Sequence, residues 1–288
     1  MRRLFLFLLL AGADPRLLLR QAVEDLEAGR LQAAEQKLVV LAREKPDSPD
    51  AHYYLGVARF RVRRLIAARE SLERAIKLAP ARAAAWKALG VVHAAESNYR
   101  LAEAPFRRAC ELDPHEEDAC YYLGRNYYEL NRFEAAITAF ENALPVDQKR
   151  WRVHNDMALA LEALGRAAEA EQHFRSAVAE NHGENRPDQN PRIDLGAFLF
   201  KQGRAQEALA ELEQAVKESP GSARARFELG RAMFSGQRLG QAIQHLEQAV
   251  RIDPAHSAAH LLLGKLYYRI GRPADGDRHT AQGSRTVK

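Results

Sequence analysis

The chain has 288 residues, of which 43 are Lys or Arg and 38 are Asp or Glu, so its formal net charge is +5 and its pI is near 9.2. No run of basic residues reaches the length of about five to eight that is typical of nucleic-acid-binding patches. Acidic residues are interspersed along the whole chain. The composition therefore disfavours a dedicated nucleic-acid-binding protein and indicates a folded chain with a solvated, mildly basic surface.

Residues 1–13 form an apolar N-terminal segment. Two arginines precede the apolar run from Leu4 to Leu10, and the small residues Ala-Gly-Ala end at Ala13. This order is typical of a secretory signal, so the sequence predicts cleavage after Ala13 and a periplasmic or secreted protein. The alternative is an apolar helix that packs on the following residues of a cytoplasmic protein. The run is shorter than the ~20 residues that a bilayer span requires, and no transmembrane span is expected.

From residue 15 onward, small residues and prolines recur with a period of 34 residues. Units of this length start at residues 15, 49, 83, 117, 151, 189, 223 and 257. The recurring glycines, mostly preceded by Leu, are Gly56, Gly90, Gly124, Gly196, Gly230 and Gly264, with Ala158 in the fifth unit. The recurring alanines are Ala34, Ala68, Ala102, Ala136, Ala170, Ala208 and Ala242. A fixed period of this kind predicts a repeat protein with a core shared between neighbouring units.

Each unit contains two apolar patterns of helical spacing, for example from Ala119 to Leu130 and from Phe133 to Leu144. The sequence therefore predicts a pair of antiparallel helices in each unit. The small residues are expected where the two helices cross most closely. A proline such as Pro80 is expected to end the second helix, because it has no amide hydrogen and biases the preceding residue out of the helical region.

The third unit carries the residues of a known family signature. They are Trp86, Leu89, Gly90, His93, Ala102, Phe106, Ala109 and Pro114. This pattern resembles the tetratricopeptide repeat, and several of its positions stay in register through consecutive copies. The pentatricopeptide repeat is the nearest alternative, but it usually runs one residue longer. The resemblance implies an all-α, right-handed superhelical solenoid of about eight tetratricopeptide repeats and a protein-interaction scaffold.

The expected domain organisation is five repeats over 15–184, an inserted loop at 185–188, three repeats over 189–283 and a disordered tail at 284–288. The insert lies in a polar stretch and is expected to bulge from one edge of the array. In the last repeat, Gly276 and Gly283 lie within the closing helix, where each costs about 1 kcal/mol relative to Ala. That helix is expected to be weak and to fray after Ala281.

The resemblance also implies where a partner binds, because the first helices of successive repeats line the concave face in this family. Mapping by register gives a groove in which aromatic residues alternate with cations. Its predicted members are Tyr53, Phe60, Arg61, Lys87, Tyr121, Arg125, Tyr128, Asn155, Phe200, Lys201, Phe227, Arg231, Phe234, Lys265, Tyr268 and Arg269. Such a groove suits a protein or peptide segment with apolar anchors and acidic groups, because Arg pairs with carboxylates and aromatic rings offer rigid contact area. Alternatively, some of these aromatic residues fill gaps between helices.

One subtype of the family grips a C-terminal carboxylate with a Lys and Asn clamp. Lys87 matches the first Lys of this clamp, but Val91 and Tyr122 replace the two required Asn residues. The clamp is therefore not expected here.

Cys110 and Cys120 lie at the end of one predicted helix and the start of the next. Such positions come close in antiparallel helices, so a disulfide can form in an oxidising compartment. A metal site is a further alternative, but with His115 between them the two cysteines would supply only three of the four donors of a structural zinc site. Against this, both occupy positions that hold packing residues in other repeats. We favour packing as small core residues, with the disulfide as an alternative.

The register also argues against catalysis. His52, His154 and His260 share one repeat position, and His173 and His245 share another, which favours packing over a catalytic set. No phosphate-binding glycine motif is present. The sequence therefore predicts no catalytic residues, no metal site and no cofactor. It predicts a non-enzymatic scaffold, with a cell-envelope assembly or membrane-surface scaffold as the alternative and nucleic-acid binding as a less favoured function.

Overall fold

The computed structural model describes residues 14–114, 118–183 and 187–285. Within these ranges the regular elements are sixteen α-helices and one short 3-10 helix, Pro187–Gln189. Repeats 1 to 4 contain α1 Pro15–Glu27, α2 Leu31–Glu44, α3 Pro49–Arg61, α4 Leu65–Leu78, α5 Ala83–Ala95, α6 Tyr99–Leu112, α7 Ala119–Glu129 and α8 Phe133–Ala143. Repeats 5 to 8 contain α9 Arg150–Ala163, α10 Ala167–Glu180, α11 Pro191–Lys201, α12 Ala205–Glu218, α13 Ala223–Ser235, α14 Leu239–Ile252, α15 Ser257–Arg269 and α16 Pro273–Arg285. The predicted all-α class and paired helices are confirmed, and the segment 1–13 lies outside the described residues.

The first helix of several repeats begins at a polar capping residue. The Ser48 hydroxyl accepts a hydrogen bond from the amide of Ala51, and Pro49 occupies the first helical turn. Ser222 accepts in the same way from Ala225. A side-chain oxygen at this position satisfies an amide that has no partner within the helix, and proline there is already set at the helical φ. The sequence thus fixes where these first helices start.

The turn between the two helices of each repeat contains one residue with a positive φ, always at the fifteenth position of the unit. In four repeats this residue is a glycine with φ between 74° and 77°, namely Gly29, Gly165, Gly203 and Gly271. In the other four repeats the residues are Arg63, Ser97, Asn131 and Gln237. Because residues with a Cβ rarely adopt this conformation, the turn is dictated by the helix pairing around it.

Close helix crossings explain the recurring glycines. A Cβ atom added to Gly90 would lie 2.5 Å from a ring carbon of Phe106, and one added to Gly124 would lie 2.5 Å from the ring of Phe140. Where the second helix carries Leu instead, as at Gly196, the same close approach occurs. Ala136 and the other recurring alanines are fully buried on the facing helices. The prediction that these small residues form a packing pattern is confirmed.

The residues up to Gln148 form one compact unit, and those from Lys149 form a second. In the first unit, each helix packs on its partner within the repeat and on the next helix along the chain. The first helices also contact one another: α1 contacts α3, α3 contacts α5, and α5 contacts α7. In the second unit, α9 contacts α11 and α11 contacts α13 in the same way. The first helices of neighbouring repeats therefore lie side by side within each unit.

Repeat 4 ends differently from its neighbours. Its second helix, α8, stops at Ala143, whereas most second helices run for 14 residues. Pro145 follows two residues later and supplies no amide hydrogen, which ends the helix early. The boundary between the two units follows this irregular segment.

Two expectations about local structure need correction. The closing helix α16 continues to Arg285, so residues 284 and 285 belong to it rather than to a tail that starts at 284, while fraying after Ala281 stays a prediction. Both of its glycines are buried, and a Cβ at Gly276 would lie 3.0 Å from the ring of Tyr268. They allow close packing against α15, which compensates for their low helix propensity. Residues 286–288 lie outside the described residues.

Asp188 of the predicted insert 185–188 contacts the start of α13 in repeat 7 rather than simply projecting from the array. The first two residues of the insert lie outside the described ranges, but one Asp188 carboxylate oxygen accepts hydrogen bonds from the Ser222 hydroxyl (2.6 Å) and the Arg224 amide (3.2 Å). Asp188 therefore supports the start of α13.

Candidate partner-binding face

The predicted groove residues of repeats 2 and 3 are placed by α3 and α5. The Arg82 guanidinium carbon lies 4.0 Å from the centre of the half-buried Tyr53 ring. Phe60 is partly buried against the core of the first unit, while Lys87 is half-buried. Arg61 donates a hydrogen bond from Nη1 to the Leu26 carbonyl at 2.6 Å. Arg61 thus caps the end of α1, a contact within the protein that register alone did not predict.

Two predicted groove residues are buried, which corrects the expectation that they are exposed. Tyr121 is 6% exposed and packs with its ring centre 6.0 Å from that of Phe140, on the second helix of its own repeat. Asn155 is 8% exposed, and its amide nitrogen donates to Asp194 at 3.1 Å. In both cases the neighbouring helix supplies a partner that covers the side chain.

Tyr128 is half-buried and makes an edge contact with Phe133, at 5.5 Å between ring centres. Arg125, one turn earlier on α7, is exposed. The face of α7 that carries Arg125 is therefore the accessible part of the predicted groove in repeat 4.

In the second unit, α11, α13 and α15 bring predicted groove residues together. The Arg231 guanidinium carbon lies 5.2 Å from the centre of the Phe200 ring and 6.0 Å from that of Phe227. Arg269 lies 5.6 Å from the centre of the Phe234 ring. The Arg231–Phe200 and Arg269–Phe234 stacks each join two neighbouring repeats, whereas Arg231 and Phe227 lie on the same helix. We call these five residues the aromatic–arginine row. Cation–aromatic contacts of this kind are favourable.

The aromatic members of this row serve packing as well. Phe200, Phe227 and Phe234 are partly buried against the core of repeats 6 to 8. One side of each ring fills a gap between helices, and the other side remains partly accessible. The alternative that these aromatic residues fill gaps between helices therefore applies to part of each ring.

A charged cluster lies beside the row, where α9, α11 and α13 meet. Asp194 is 8% exposed and accepts hydrogen bonds from Asn155 and from the Arg224 guanidinium. Glu228 forms an ion pair with Arg231 at 2.7 Å, and burial raises the pKa of the Glu228 carboxyl above its ordinary value. Because Arg231 is engaged by Glu228, its charge is held in place rather than fully available to a ligand.

The remaining predicted residues have mixed placements. Lys201 is exposed and pairs with Glu162 at 2.8 Å. Tyr268 is 47% exposed, but its hydroxyl donates to Asp277 at 2.5 Å, and this bond raises the pKa of Tyr268. Lys265 and Arg269 are exposed on the same helix. The accessible charge of α15 therefore comes from these two cations.

A cavity of about 280 Å³ lies between repeats 3 and 4. Its walls come from α5, α6 and α7 and include Val91, Tyr99, Phe106 and Tyr122. Asn126 also lines it, is 3% exposed, and has no hydrogen-bond partner for either atom of its amide among the described residues. The sequence prediction did not include Asn126, although an amide at a position that is apolar in six of the other seven repeats was a readable signal.

Two of the histidines that share repeat positions, His154 and His260, pair with a histidine on the second helix of their own repeat. The Nδ1 atoms of His154 and His173 are 2.8 Å apart, and those of His260 and His279 are 2.9 Å apart. One ring nitrogen must donate and the other accept. Burial lowers the pKa of His154 and of His279, which favours the neutral form.

Cys110 and Cys120 are joined by a disulfide, with 4.9 Å between their Cα atoms. The favoured interpretation, packing as free thiols, is therefore replaced by the alternative. The bond links the end of α6 to the start of α7, because the antiparallel arrangement brings these two helix ends together.

Among the described residues, no group of three or more His, Cys, Asp or Glu side chains is arranged to hold a metal ion. Nor does any helix within 14–114, 118–183 and 187–285 combine the length and apolarity needed to cross a membrane.

Paired antiparallel helices, with a small residue at each crossing and first helices aligned side by side, define a helical-repeat protein that presents its surface to other molecules. The chain belongs to the tetratricopeptide repeat family. Family models for this repeat match residues 19–65, 60–117, 121–188 and 194–257, and a second model matches 234–283. Repeats of this family are protein-interaction scaffolds and are typically non-enzymatic.

Similar proteins come from both fungi and bacteria. The chain is 28% identical over 97 residues to the protein bimA of Emericella nidulans, a match covering 34% of this chain and 12% of bimA. It is 24% identical over 179 residues to the type IV pilus assembly protein PilF of Pseudomonas aeruginosa, covering 60% of this chain and 68% of PilF. This chain thus spans only a small part of the length of bimA.

Solved structures support the fold. The PilF structure matches with a TM-score of 0.62 and 21% identity, covering 77% of this chain and 99% of that one. A tetratricopeptide repeat protein from Parabacteroides merdae matches with a TM-score of 0.68 and 19% identity, covering 88% of this chain and 99% of that one. These likenesses confirm the tetratricopeptide repeat architecture.

Proposed function

We propose that this protein binds a peptide or protein segment on the face formed by its first helices, as a non-enzymatic scaffold. The observation that carries the proposal is the aromatic–arginine row, in which three neighbouring repeats contribute residues to one accessible surface. Partly exposed aromatic rings offer contact area with little loss of conformational entropy, and arginines pair with carboxylates. The partner segment therefore carries apolar anchors and acidic groups.

Lys265 lies beside the row, and together with Arg269 of the row it gives α15 exposed positive charge. Because they project from a first helix, they would meet a ligand on this face directly. The exposed Lys217 and Arg251 lie on the second helices α12 and α14 and serve as a comparison.

The test uses random heptapeptides displayed on phage and selected on the purified full chain, followed by titration of synthetic fluorescein-labelled peptides. The double variant Lys265→Glu/Arg269→Glu is expected to weaken binding by about tenfold or more, since it reverses two contact charges. Lys217→Glu/Arg251→Glu changes the net charge equally and is expected to leave affinity unchanged. Equal affinity for wild type and the α15 variant, or equal loss in both variants, would remove this face as the binding surface.

We further propose that the scaffold works in the cell envelope. Its similarity to a type IV pilus assembly protein over most of that protein's length supports this location. The Cys110–Cys120 disulfide is also characteristic of oxidising compartments, because cytosolic thiols are kept reduced. The N-terminal segment is proposed to act as the export signal.

N-terminal sequencing of the protein recovered from its native cell tests the location. The expected mature chain begins at Asp14. Recovery of an uncleaved chain from the cytosolic fraction, with both cysteines alkylatable without reduction, would contradict the envelope proposal while leaving peptide binding intact.

A further inference from the structure

The cavity between repeats 3 and 4 combines apolar walls with one buried amide. Val91 and Ala94 of α5 and Phe106 of α6 provide apolar surface, and Tyr122 of α7 stacks on Phe106 at 5.8 Å between ring centres. Asn126 completes the wall on α7. The cavity volume of about 280 Å³ is just below the range of about 300–1,000 Å³ that is usual for small-molecule sites. It suits a single side chain better than a whole cofactor.

Asn126 is unusual among the eight repeats. It occupies the tenth position of its unit, which is apolar in the repeats that begin at residues 49, 83, 151, 189, 223 and 257. The residues there are Ala58, Val92, Ala160, Phe198, Ala232 and Leu266, all of them buried. Packing at this position therefore calls for an apolar side chain, and repeat 4 departs from that rule.

The departure destabilises the unliganded fold. Asn126 is 3% exposed, and within the described part of the chain neither its Oδ1 nor its Nδ2 has a hydrogen-bond partner. An amide removed from water without a partner is unfavourable, whereas an apolar side chain of similar size would not be. Asn126 lines the cavity, so a molecule bound there that reaches the side chain can supply partners for both atoms.

The chemistry of the amide indicates what that molecule is. A carboxamide offers donors on nitrogen and an acceptor on oxygen, so it matches a peptide group, whose carbonyl accepts from Nδ2 and whose N–H donates to Oδ1. The surrounding apolar walls accept the adjoining side chain. Arg125 and Glu129 are exposed beside the cavity, so its opening has one positive and one negative side chain.

We propose that this cavity binds one apolar side chain of an extended partner peptide, of about the size of Leu, Met or Phe, and that Asn126 pairs with the backbone amide beside it. The inference rests on the proposed peptide-binding function and adds a specificity pocket in repeats 3 and 4. A nucleobase is the competing ligand, because Asn can also pair with adenine. It is disfavoured because one face of the Tyr122 ring is already covered by Phe106, and because Arg125 is the one cation among the described residues that line the cavity.

The test uses the full chain and the heptapeptides selected on it. Asn126→Leu places in repeat 4 the residue that repeat 8 has at the same position. It is expected to weaken the selected peptides by about tenfold, through loss of the paired amide, while the urea midpoint of unfolding stays equal or rises. Asn142→Leu, an exposed site on α8, is the matched control and is expected to leave affinity unchanged.

A second variant, Ala94→Leu, fills the cavity from the opposite wall and is expected to weaken the same peptides. Selected sequences are expected to share one large apolar residue, and its replacement by Ala is expected to abolish the difference between wild type and Asn126→Leu. Peptide affinities within twofold of wild type for both cavity variants would overturn the proposal. So would a labelled single-stranded RNA that binds wild type and is lost in Asn126→Leu, which would identify a nucleobase site.

The two proposals fail in different ways. If the peptides lose affinity in Lys265→Glu/Arg269→Glu but not in Asn126→Leu, the proposed binding face is supported and the proposed cavity site is overturned. Loss on Asn126→Leu alone would do the reverse. Selection of no peptide by the wild-type chain would overturn both.

Discussion

Single residues set how closely the helices of a repeat approach. Gly90 and Gly124 face phenylalanine rings at distances that leave no room for a Cβ atom. Repeat 5 has Ala158 at the same position, facing Phe174, and both are fully buried. A helix crossing can thus accommodate a methyl group when the neighbouring side chains leave space for it. At Gly90 and Gly124 the neighbouring phenylalanine rings leave no such space.

Gly90→Ala is therefore expected to destabilise the protein by about 1–3 kcal/mol, the usual result of overpacking a core. Gly240 provides the matched control, because a Cβ there meets no atom within 4 Å and the residue lies in the first turn of α14. Gly240→Ala is expected to be neutral or stabilising by up to about 1 kcal/mol. Urea unfolding followed by far-UV circular dichroism measures both. Equal effects of the two substitutions would contradict the close-crossing interpretation.

Buried histidines make stability depend on pH. Burial lowers the pKa of His154 from its ordinary 6.5, against the opposing effect of Glu180. Burial likewise lowers the pKa of His93 and of His245. A histidine whose folded pKa lies below its unfolded pKa binds its proton first in the unfolded chain, so the stability it contributes is complete above about pH 6.5 and is lost as the pH falls below it.

The urea midpoint is expected to fall as the pH is lowered from about 7.5 to 5.5, the range in which unfolded histidine protonates. The double variant His154→Leu/His173→Leu removes one buried pair and is expected to reduce this slope. His182→Gln, at an exposed histidine, is expected to leave the slope unchanged. A midpoint that rises on acidification across this range would mean that the buried rings are charged in the folded protein.

At the scale of elements, the disulfide ties the end of α6 to the start of α7 across a sequence separation of 10 residues. Closing a loop of this length restricts the unfolded chain and stabilises the fold by roughly 2–3 kcal/mol in the chain-entropy treatment. Cys110→Ala/Cys120→Ala is expected to lose about this amount. Thermal unfolding with and without a reductant measures it, and the double variant itself should not respond to the reductant. A wild-type melting temperature that is unaffected by reduction would contradict a structural role.

The repeat elements were predictable because periodicity reports packing directly. The glycine and alanine register predicted every helix pair, and Ser48 and Pro49 mark a helix start that sequence alone can locate. The closing helix was less predictable. Helix propensity penalises Gly276, whereas the structure uses it for close contact with Tyr268. Tertiary contacts of this kind outweigh propensity, and they cannot be assigned before the neighbouring helix is placed.

The candidate site was predictable in part, for a related reason. Register correctly placed Arg231 and Phe200 on neighbouring first helices, where they stack. It could not tell that Tyr121 turns toward Phe140, because the direction of a side chain depends on the space left by its neighbours. Asn126 could have been found by comparing the tenth residue of repeats 2 to 8, since a polar residue at a position that is apolar in the other six of them is visible without a structure.

At the scale of the whole molecule, several arginines are held in ion pairs with carboxylates. Arg204 contacts both Glu171 and Glu207, and these bonds lower the pKa of each carboxyl. Arg192 is engaged by two further glutamates. Arginines held by carboxylates are poorly placed to replace the counterions of a phosphate backbone, so we expect the net charge of +5 to give only weak attraction for nucleic acid.

Binding to generic single-stranded RNA is therefore expected to be weak and to disappear by about 150 mM salt, because only nonspecific attraction screened within a Debye length is available. Fluorescence anisotropy of a labelled RNA at rising salt measures this, with the selected heptapeptides titrated under the same conditions. Peptide binding is expected to persist at that salt, since aromatic contacts and the buried amide contribute much of it. RNA binding that survives well above physiological salt would reverse the assignment and identify the first-helix face as a surface for nucleic acid.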